Sequence, residues 1–399
     1  MLAVSCCGFY SQANDNLQLS GFGTLGLTLA DSDIYGFRYD VSQPNGVYKD
    51  EIDFSVSSLI GGQAEFTITP EFDVVTQAVI KKRFNADIDD YIELAFLRYN
   101  PSPDWTFRVG RMGANMFMMT EYRDISYAYT MTTPPPEFYG LIPHRQLDGI
   151  EAIYRQPVDR GILQASLSYG RSEAYIVSDS FEWNVKLSPI LLMALDYEYD
   201  NWLFRLNATR AKTTNTSDPG IFVEQFISEL PESVWPNKDK TLNRIKSKDK
   251  YANYYGLGFK YDNFIWQVQS EIAYIDYKTE SLPDSLNGYL NVTKRFDEHA
   301  VFAGISSTRS HFLNFTVPPL AKQIPELEEN FLSYVNFYGT NQTTLSAGWR
   351  WDYAENWAFK LQLNRTQPQR GGDRIYLKSV DGGHENAVHS LILSVSFIF

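Results

Sequence analysis

The chain has 399 residues, with 48 acidic against 35 basic side chains and a net charge of −13, which disfavours a nucleic-acid partner because no basic face is available to displace phosphate counterions. It is 15% aromatic, with 26 Tyr and 26 Phe, yet its mean hydropathy is −0.31; that pairing suits a barrel with an aromatic-belted exterior and a wet interior better than two or three soluble domains. No stretch approaches the roughly 18 uninterrupted apolar residues of a spanning helix, so any membrane residence must be by strands.

In chain order, residues 1–13 come first. A short apolar run containing both cysteines, Cys6 and Cys7, leads to Ser11-Gln12-Ala13, a small-x-small cleavage site. This reads as the remnant of a secretory signal whose basic leading segment is missing. Cleavage after Ala13 would leave a mature chain, residues 14–399, without cysteine and hence without a disulfide framework. A lipoprotein reading around Cys6 fits less well, because Ala3-Val4-Ser5 lacks the usual leucine.

From Leu17 onward the dominant signal is period-2 alternation. Leu17, Leu19, Leu25, Leu27 and Leu29 share one face, while Gln18, Ser20, Thr24 and Thr28 share the other, the mark of a strand with two unlike faces. Strand starts are expected near Leu17, Ser57, Phe72, Tyr91, Asp104, Leu147, Ile162 and Ile190, then near Trp202, Tyr251, Phe264, Asn287, His299, Gln342, Asn356 and Val388. Tight breaks flanked by aromatics recur, as at Tyr199-Asp200-Asn201-Trp202 and Tyr261-Asp262-Asn263-Phe264, where Asp and Asn tolerate the left-handed backbone of short hairpins. Between them lie long polar connections near 30–56, 82–90, 112–146, 171–189, 213–250, 278–286, 310–341 and 368–387. A soluble sandwich has no reason to keep its short turns on one end. A barrel of about 16 strands in the Gram-negative outer membrane does, with short periplasmic turns and long extracellular loops. The acidic Asp31, Asp33, Asp40, Asp50, Glu51 and Asp53 of the first long connection read as solvated loop surface, with steering of cations as the sharper alternative.

The two faces are sharply phased in the second half. Residues 264–274 turn Phe264, Trp266, Val268, Ile272 and Tyr274 outward and Gln267, Gln269 and Glu271 inward; residues 345–353 turn Leu345, Ala347, Trp349, Trp351 and Tyr353 outward and Ser346, Arg350 and Asp352 inward; and residues 357–364 turn Trp357, Phe359, Leu361 and Leu363 outward and Lys360, Gln362 and Asn364 inward. An Arg or Lys facing lipid at mid-membrane costs about 2–4 kcal/mol, which fixes the phase. Arg108, Arg205, Glu271, Arg350 and Lys360 are therefore the expected pore-lining charges. The chain ends on Leu391, Leu393, Val395, Phe397 and Phe399 at every second place, which resembles the last-strand signal that bacterial barrels present to their assembly machinery.

The order of these features resembles the general, trimeric porins of Gram-negative outer membranes over nearly the whole mature chain. In that family the long loop after the fifth strand folds inward and narrows the barrel. Here the fifth strand is Trp105-Thr-Phe-Arg-Val-Gly110-Arg111, and the connection to Gln146 carries Pro136-Glu137-Phe138-Tyr139-Gly140, similar to the family's Pro-Glu-Phe-Gly-Gly. The resemblance implies an all-β transmembrane antiparallel barrel, a constriction loop at about 112–146, and Glu137 at the narrowest point with Glu121, Arg123, Asp124 and Glu93 around it. The family's facing arginines on early strands are not matched: the second strand begins Ser57-Ser58, and the fourth carries Glu93 where a base is expected. Met112, Met116, Met118, Met119 and Phe117 read as loop-to-wall packing, with an apolar slide as the alternative. Tyr122, Tyr127, Tyr129 and Tyr139 offer faces on which sugar rings could stack.

Other classes fit poorly. His389 and Ser390 adjoin on one strand and so point to opposite faces, a poor catalytic dyad. His384-Glu385 lacks zinc-site spacing, and Asp87, Asp89 and Asp90 lack the glycine turn and distal Glu of a calcium loop. No cofactor, metal or enzymatic chemistry is expected. The reading is a passive diffusion pore for small hydrophilic solutes and ions, in contact with outer-membrane lipid and lipopolysaccharide, homotrimeric by resemblance; the alternatives are a saccharide-preferring pore and a plugged or structural barrel.

Overall fold

The computed structural model describes residues 16–84, 87–178, 182–312, 315–379 and 383–399; the candidate signal remnant 1–13, with both cysteines, lies outside them. Sixteen antiparallel strands form one closed barrel. They are β1 Leu17–Ala30, β2 Leu59–Thr69, β3 Phe72–Lys81, β4 Ile92–Ser102, β5 Trp105–Gly113, β6 Gln146–Val158, β7 Gly161–Val177 and β8 Glu182–Tyr199. The second half adds β9 Trp202–Thr213, β10 Tyr251–Asp262, β11 Trp266–Tyr277, β12 Ser285–Phe296, β13 His299–Ser310, β14 Thr340–Ala354, β15 Trp357–Asp373 and β16 Val388–Ile398. Each strand pairs with its sequence neighbours, and β1 closes on β16.

The alternation read from the sequence becomes two surfaces. Leu25 is 66% exposed on the outside while its neighbours Thr24 and Gly26 are buried. Leu345, Trp349, Trp357, Phe359 and Leu363 are likewise exposed, and Lys360, Gln362 and Asn364 are buried inside. An apolar band of this kind is what lipid covers. Aromatic pairs stand beside the short turns: Phe72 stacks on Tyr99 at 4.4 Å, and Trp202 lies 4.6 Å from Tyr261. Asp200 and Asp297 take positive φ in these turns (49° and 51°), as short acidic side chains can. Phe264 belongs to a turn, with φ 69°, so β11 begins two residues later than its pattern suggests. At the seam, Gly21 and Phe399 exchange backbone hydrogen bonds of 2.7 and 2.9 Å. The rings of Phe399 and Phe397 lie over Gly21 and Gly23, in space that a side chain at either glycine would occupy.

Three of the expected polar connections differ from expectation. The one over 171–189 is largely strand: β7 and β8 run to 17 and 18 residues, longer than the roughly 9–11 a tilted strand needs to cross a bilayer. Pairing persists because Ala174, Val177, Trp183 and Val185 stay buried on its inner side. The connections 214–250 and 311–339 hold helices Asp218–Glu229, Lys238–Ile245 and Leu327–Val335. Their apolar sides meet around Trp235, Ile227, Ile245 and Phe331, a small core of its own above the barrel rim. Ser217 caps the first of them, its hydroxyl accepting from the Gly220 N–H at 3.2 Å, the arrangement that satisfies an otherwise unpaired helix-start donor.

Candidate functional site

The connection after β5, residues 114–145, folds into the barrel. Its first turn is held by Thr120, whose hydroxyl accepts from the Phe117 N–H at 3.1 Å and lies 2.9 Å from the Phe117 carbonyl. Met116 and Met118 then meet the wall: Asn207 of β9 donates to the Met116 carbonyl at 2.6 Å, and the Met118 N–H donates to Glu271 of β11 at 3.0 Å. Met112, Met116, Met119 and Phe117 are buried with Tyr254, Ile275 and Tyr289 of the wall, so the methionines pack loop to wall. Further on, Lys360 of β15 donates to the carbonyls of Ser126, Tyr129 (2.6 Å) and Met131 (2.8 Å), and Arg350 of β14 to those of Tyr127 (2.6 Å) and Tyr129 (2.9 Å). Tyr127 reaches the short turn at the far end, donating to the Glu355 carbonyl at 2.6 Å.

The Pro136–Gly140 segment does a different job from the one its resemblance implies. Pro136 opens a one-turn helix, where its missing N–H costs nothing. Phe138 and Tyr139 enter the loop core, and Gly140 lets the first loop approach: a side chain there would meet the Tyr39 carbonyl at 2.3 Å. Glu137 is 0% exposed. Its carboxylate accepts from Ser306 of β13 (2.6 Å) and from Gln342 (2.6 Å) and Thr344 of β14. It is an anchor in the seam between loop and wall, with hydroxyl and amide partners and no base, and not a charge open to the lumen. Tyr129 and Tyr139 are buried as well, so two of the four rings considered for sugar stacking are taken up by packing.

Opposite this seam, a polar cavity of about 820 Å³ runs between the loop, the first long loop and the β3–β8 wall. A ladder of charges runs along it, anchored at one end on Glu93 behind the lining. Glu93 of β4 pairs with Arg83 and with Lys81 of β3 (3.0 Å); Lys81 also pairs with Asp124 (2.6 Å), Asp124 with Arg145 (2.8 Å), Arg145 with Asp40 (2.9 Å), and Asp40 with Arg123 (3.3 Å). Three of the expected constriction residues, Glu93, Arg123 and Asp124, are thus brought together. The other two are elsewhere: Glu137 in its seam, and Glu121 on Arg108 at 3.0 Å with its side chain 71% exposed. Of the expected lining charges, Arg205 is spent on Asp196 (2.6 and 2.8 Å) and Glu271 on Tyr139, Tyr289 and the Met118 N–H. Arg350 and Lys360 are spent on loop carbonyls, and Arg108 also faces Glu151 at 3.4 Å.

The ladder's bases Lys81, Arg83 and Arg145 were not singled out in the sequence, and its acid Asp40 was read there only as one of the loop acids. The bases of this ladder lie at the end of β3 and in loops instead of mid-strand; the run Lys81-Lys82-Arg83 was the visible signal. Asp40 is 2% exposed, unlike the solvated loop acid its surroundings suggest. Burial pushes its carboxyl up, but the guanidinium groups of Arg145 and Arg123 outweigh that and hold it at about 2. The same logic, with Lys81 and Arg145 as the cations, holds Asp124 well below the usual carboxylate range.

Burial alone draws the His144 imidazolium down to about 4; the ring is 7% exposed and its Nδ1 lies 3.0 Å from the Ser172 hydroxyl. A released loop would take up that proton near pH 6.5, whereas the docked loop would not. Docking is therefore at full strength above about pH 6.5 and should lose on the order of 3 kcal/mol as pH falls to about 4. A second loss, from Asp40, follows between about pH 4 and 2. Proteolysis of residues 114–145 is expected to accelerate across the first window in the wild type and to stay flat there in His144→Leu; equal pH profiles would refute the assignment.

No family model matches this chain, and no curated protein sequence matches it. Solved structures do match in fold. OmpF of Salmonella typhi, in a complex with daunomycin, has a TM-score of 0.57 at 11% identity, covering 96% of this chain and 98% of that one. The anion-selective porin from Comamonas acidovorans has a TM-score of 0.55 at 8% identity over 96% and 99%. OmpT of Vibrio cholerae in its trimer form has a TM-score of 0.52 at 13% identity over 96% and 100%. The fold of this chain is that of outer-membrane porins.

Proposed function

We propose that this protein is a porin of the Gram-negative outer membrane, a water-filled channel for passive diffusion of small hydrophilic solutes and ions. The observation that carries the reading is the cavity of about 820 Å³ with its charge ladder, inside a barrel whose outer surface is apolar. Lys82 and Arg171 add cations to its lining, and Asp87, Asp90 and Asp148 add acids. With both signs in near balance, ion selectivity is weak. The exposed band contacts lipid, with lipopolysaccharide in the outer leaflet, and the exposed Phe399 ring (50%) is what the assembly machinery reads. The trimer form of the Vibrio cholerae protein supports a homotrimer here.

Single-channel recording in a planar bilayer under a potassium chloride gradient tests this. Stepwise ohmic openings with a small reversal potential are expected. A silent bilayer, with the barrel shown folded and inserted, would refute the channel and leave a plugged or structural barrel; saturable block by a saccharide would move the reading to a selective pore.

A further inference from the structure

The inner wall is not polar all round. On β8, Val185, Ile190 and Leu192 are buried, as are Ala211 on β9 and Ile275 on β11. With residues 141–144 of the inward loop and the segments 337–340 and 374–377 as a roof, they enclose a second cavity of about 180 Å³. An apolar cavity near that size takes up a single aromatic ring in preference to water. This one is not wholly apolar. Four of its lining side chains carry a buried polar atom with no hydrogen-bond partner among the described residues: Trp183 Nε1, Arg374 Nε, Tyr254 OH and Thr209 Oγ1. Trp183 and Tyr254 are 4% and 5% exposed.

Those four atoms specify a ligand. Indole and guanidinium N–H groups donate only, and hydroxyls can donate, so the missing partner is an acceptor. Burying such donors unpaired is costly, which makes an acceptor bound there correspondingly favourable. The acceptor is anionic for two reasons. Arg374 rests its guanidinium 4.1 Å over the Phe337 ring, and no Asp or Glu among the described residues lines the cavity. His144, held neutral by burial, adds no charge. Trp183 and Arg374 belong to one corner, linked by ring contacts from Trp183 to Tyr338 (5.4 Å) and from Tyr338 to Phe337 (5.2 Å). We infer that this pocket binds a single-ring aromatic carboxylate, its ring against the β8–β11 wall and its carboxylate accepting from Trp183 Nε1 and Arg374 Nε.

The test is calorimetric titration of sodium benzoate and of neutral benzamide into the full chain, folded in nanodiscs. Benzoate is expected to bind saturably, with a Kd at or below about 1 mM, and benzamide about tenfold more weakly. Trp183→Phe keeps the packing but removes the donor, and should weaken benzoate about tenfold or more, as loss of a hydrogen bond to a charged group does. Ala211→Leu fills the cavity and should abolish binding. Absence of saturable benzoate binding to the folded wild type, or undiminished affinity in Trp183→Phe, would overturn the site, and benzamide binding as tightly as benzoate would overturn the carboxylate assignment. The outcome is independent of conductance, so a chain silent in a bilayer would leave it standing.

Discussion

Glu137→Ala is expected to undock the inward loop from β13 and β14. The substitution leaves the Ser306, Gln342 and Thr344 donors facing a space that water does not readily reach. Hydrogen bonds to a charged group contribute about 1.5–3 kcal/mol each, though not additively; a loss of roughly 3–5 kcal/mol of docking is the scale to expect. Single-channel traces should become larger in conductance and noisier, and proteolysis of residues 114–145 should accelerate on the order of a hundredfold or more. Glu137→Gln keeps one acceptor oxygen and should fall between. Wild-type conductance and protease resistance in the alanine variant would show that the loop is held by its apolar core instead.

Arg145→Ala acts on the other side of the loop, and its signature is electrical. Arg145 bridges Asp40 and Asp124 at 2.9 and 2.8 Å, with Asp40 almost wholly buried. Removing one partner of a buried pair is far worse than replacing both, at about 3–5 kcal/mol. Among the described residues, Asp40 would keep Arg123 as its one ion-pair partner and Asp124 would keep Lys81. The cavity wall gains one negative charge, so the reversal potential in a salt gradient should move toward cation selectivity. Arg145→Lys retains the charge but cannot span both carboxylates with a planar fork, and should restore the reversal potential while leaving the loop less stable. An unchanged reversal potential in Arg145→Ala would show that the ladder does not face the conducting path.

These two variants separate what was legible in the sequence from what was not. The second-half strands were legible because an apolar exterior and a polar interior impose a two-residue period that Trp357, Phe359, Lys360 and Gln362 write plainly. The inward loop was legible through its place after β5 and through Pro136 to Gly140. The role of Glu137 was not, because a carboxylate beside an aromatic looks the same in sequence whether it faces water or three hydroxyl and amide donors across the barrel. The helices of residues 218–245 and 327–335 were missed because their apolar sides are covered by each other, over separations in sequence of nearly a hundred residues.

The sequence by itself determined the barrel: the strand number, the direction most strand side chains face and the alternation of short turns with long connections follow from local periodicity and turn chemistry. Tertiary structure alone decided which charges meet. Asp40, Lys81, Glu93, Asp124 and Arg145 come from two loops and two strands, and pair because closure of the barrel brings the first loop and the inward loop onto one wall. Closure also buries apolar side chains of β8 to β11 under the loops, where a two-residue period read alone would have assigned a wet lumen. Local pattern fixes which way a residue points; only the closed chain fixes what it points at.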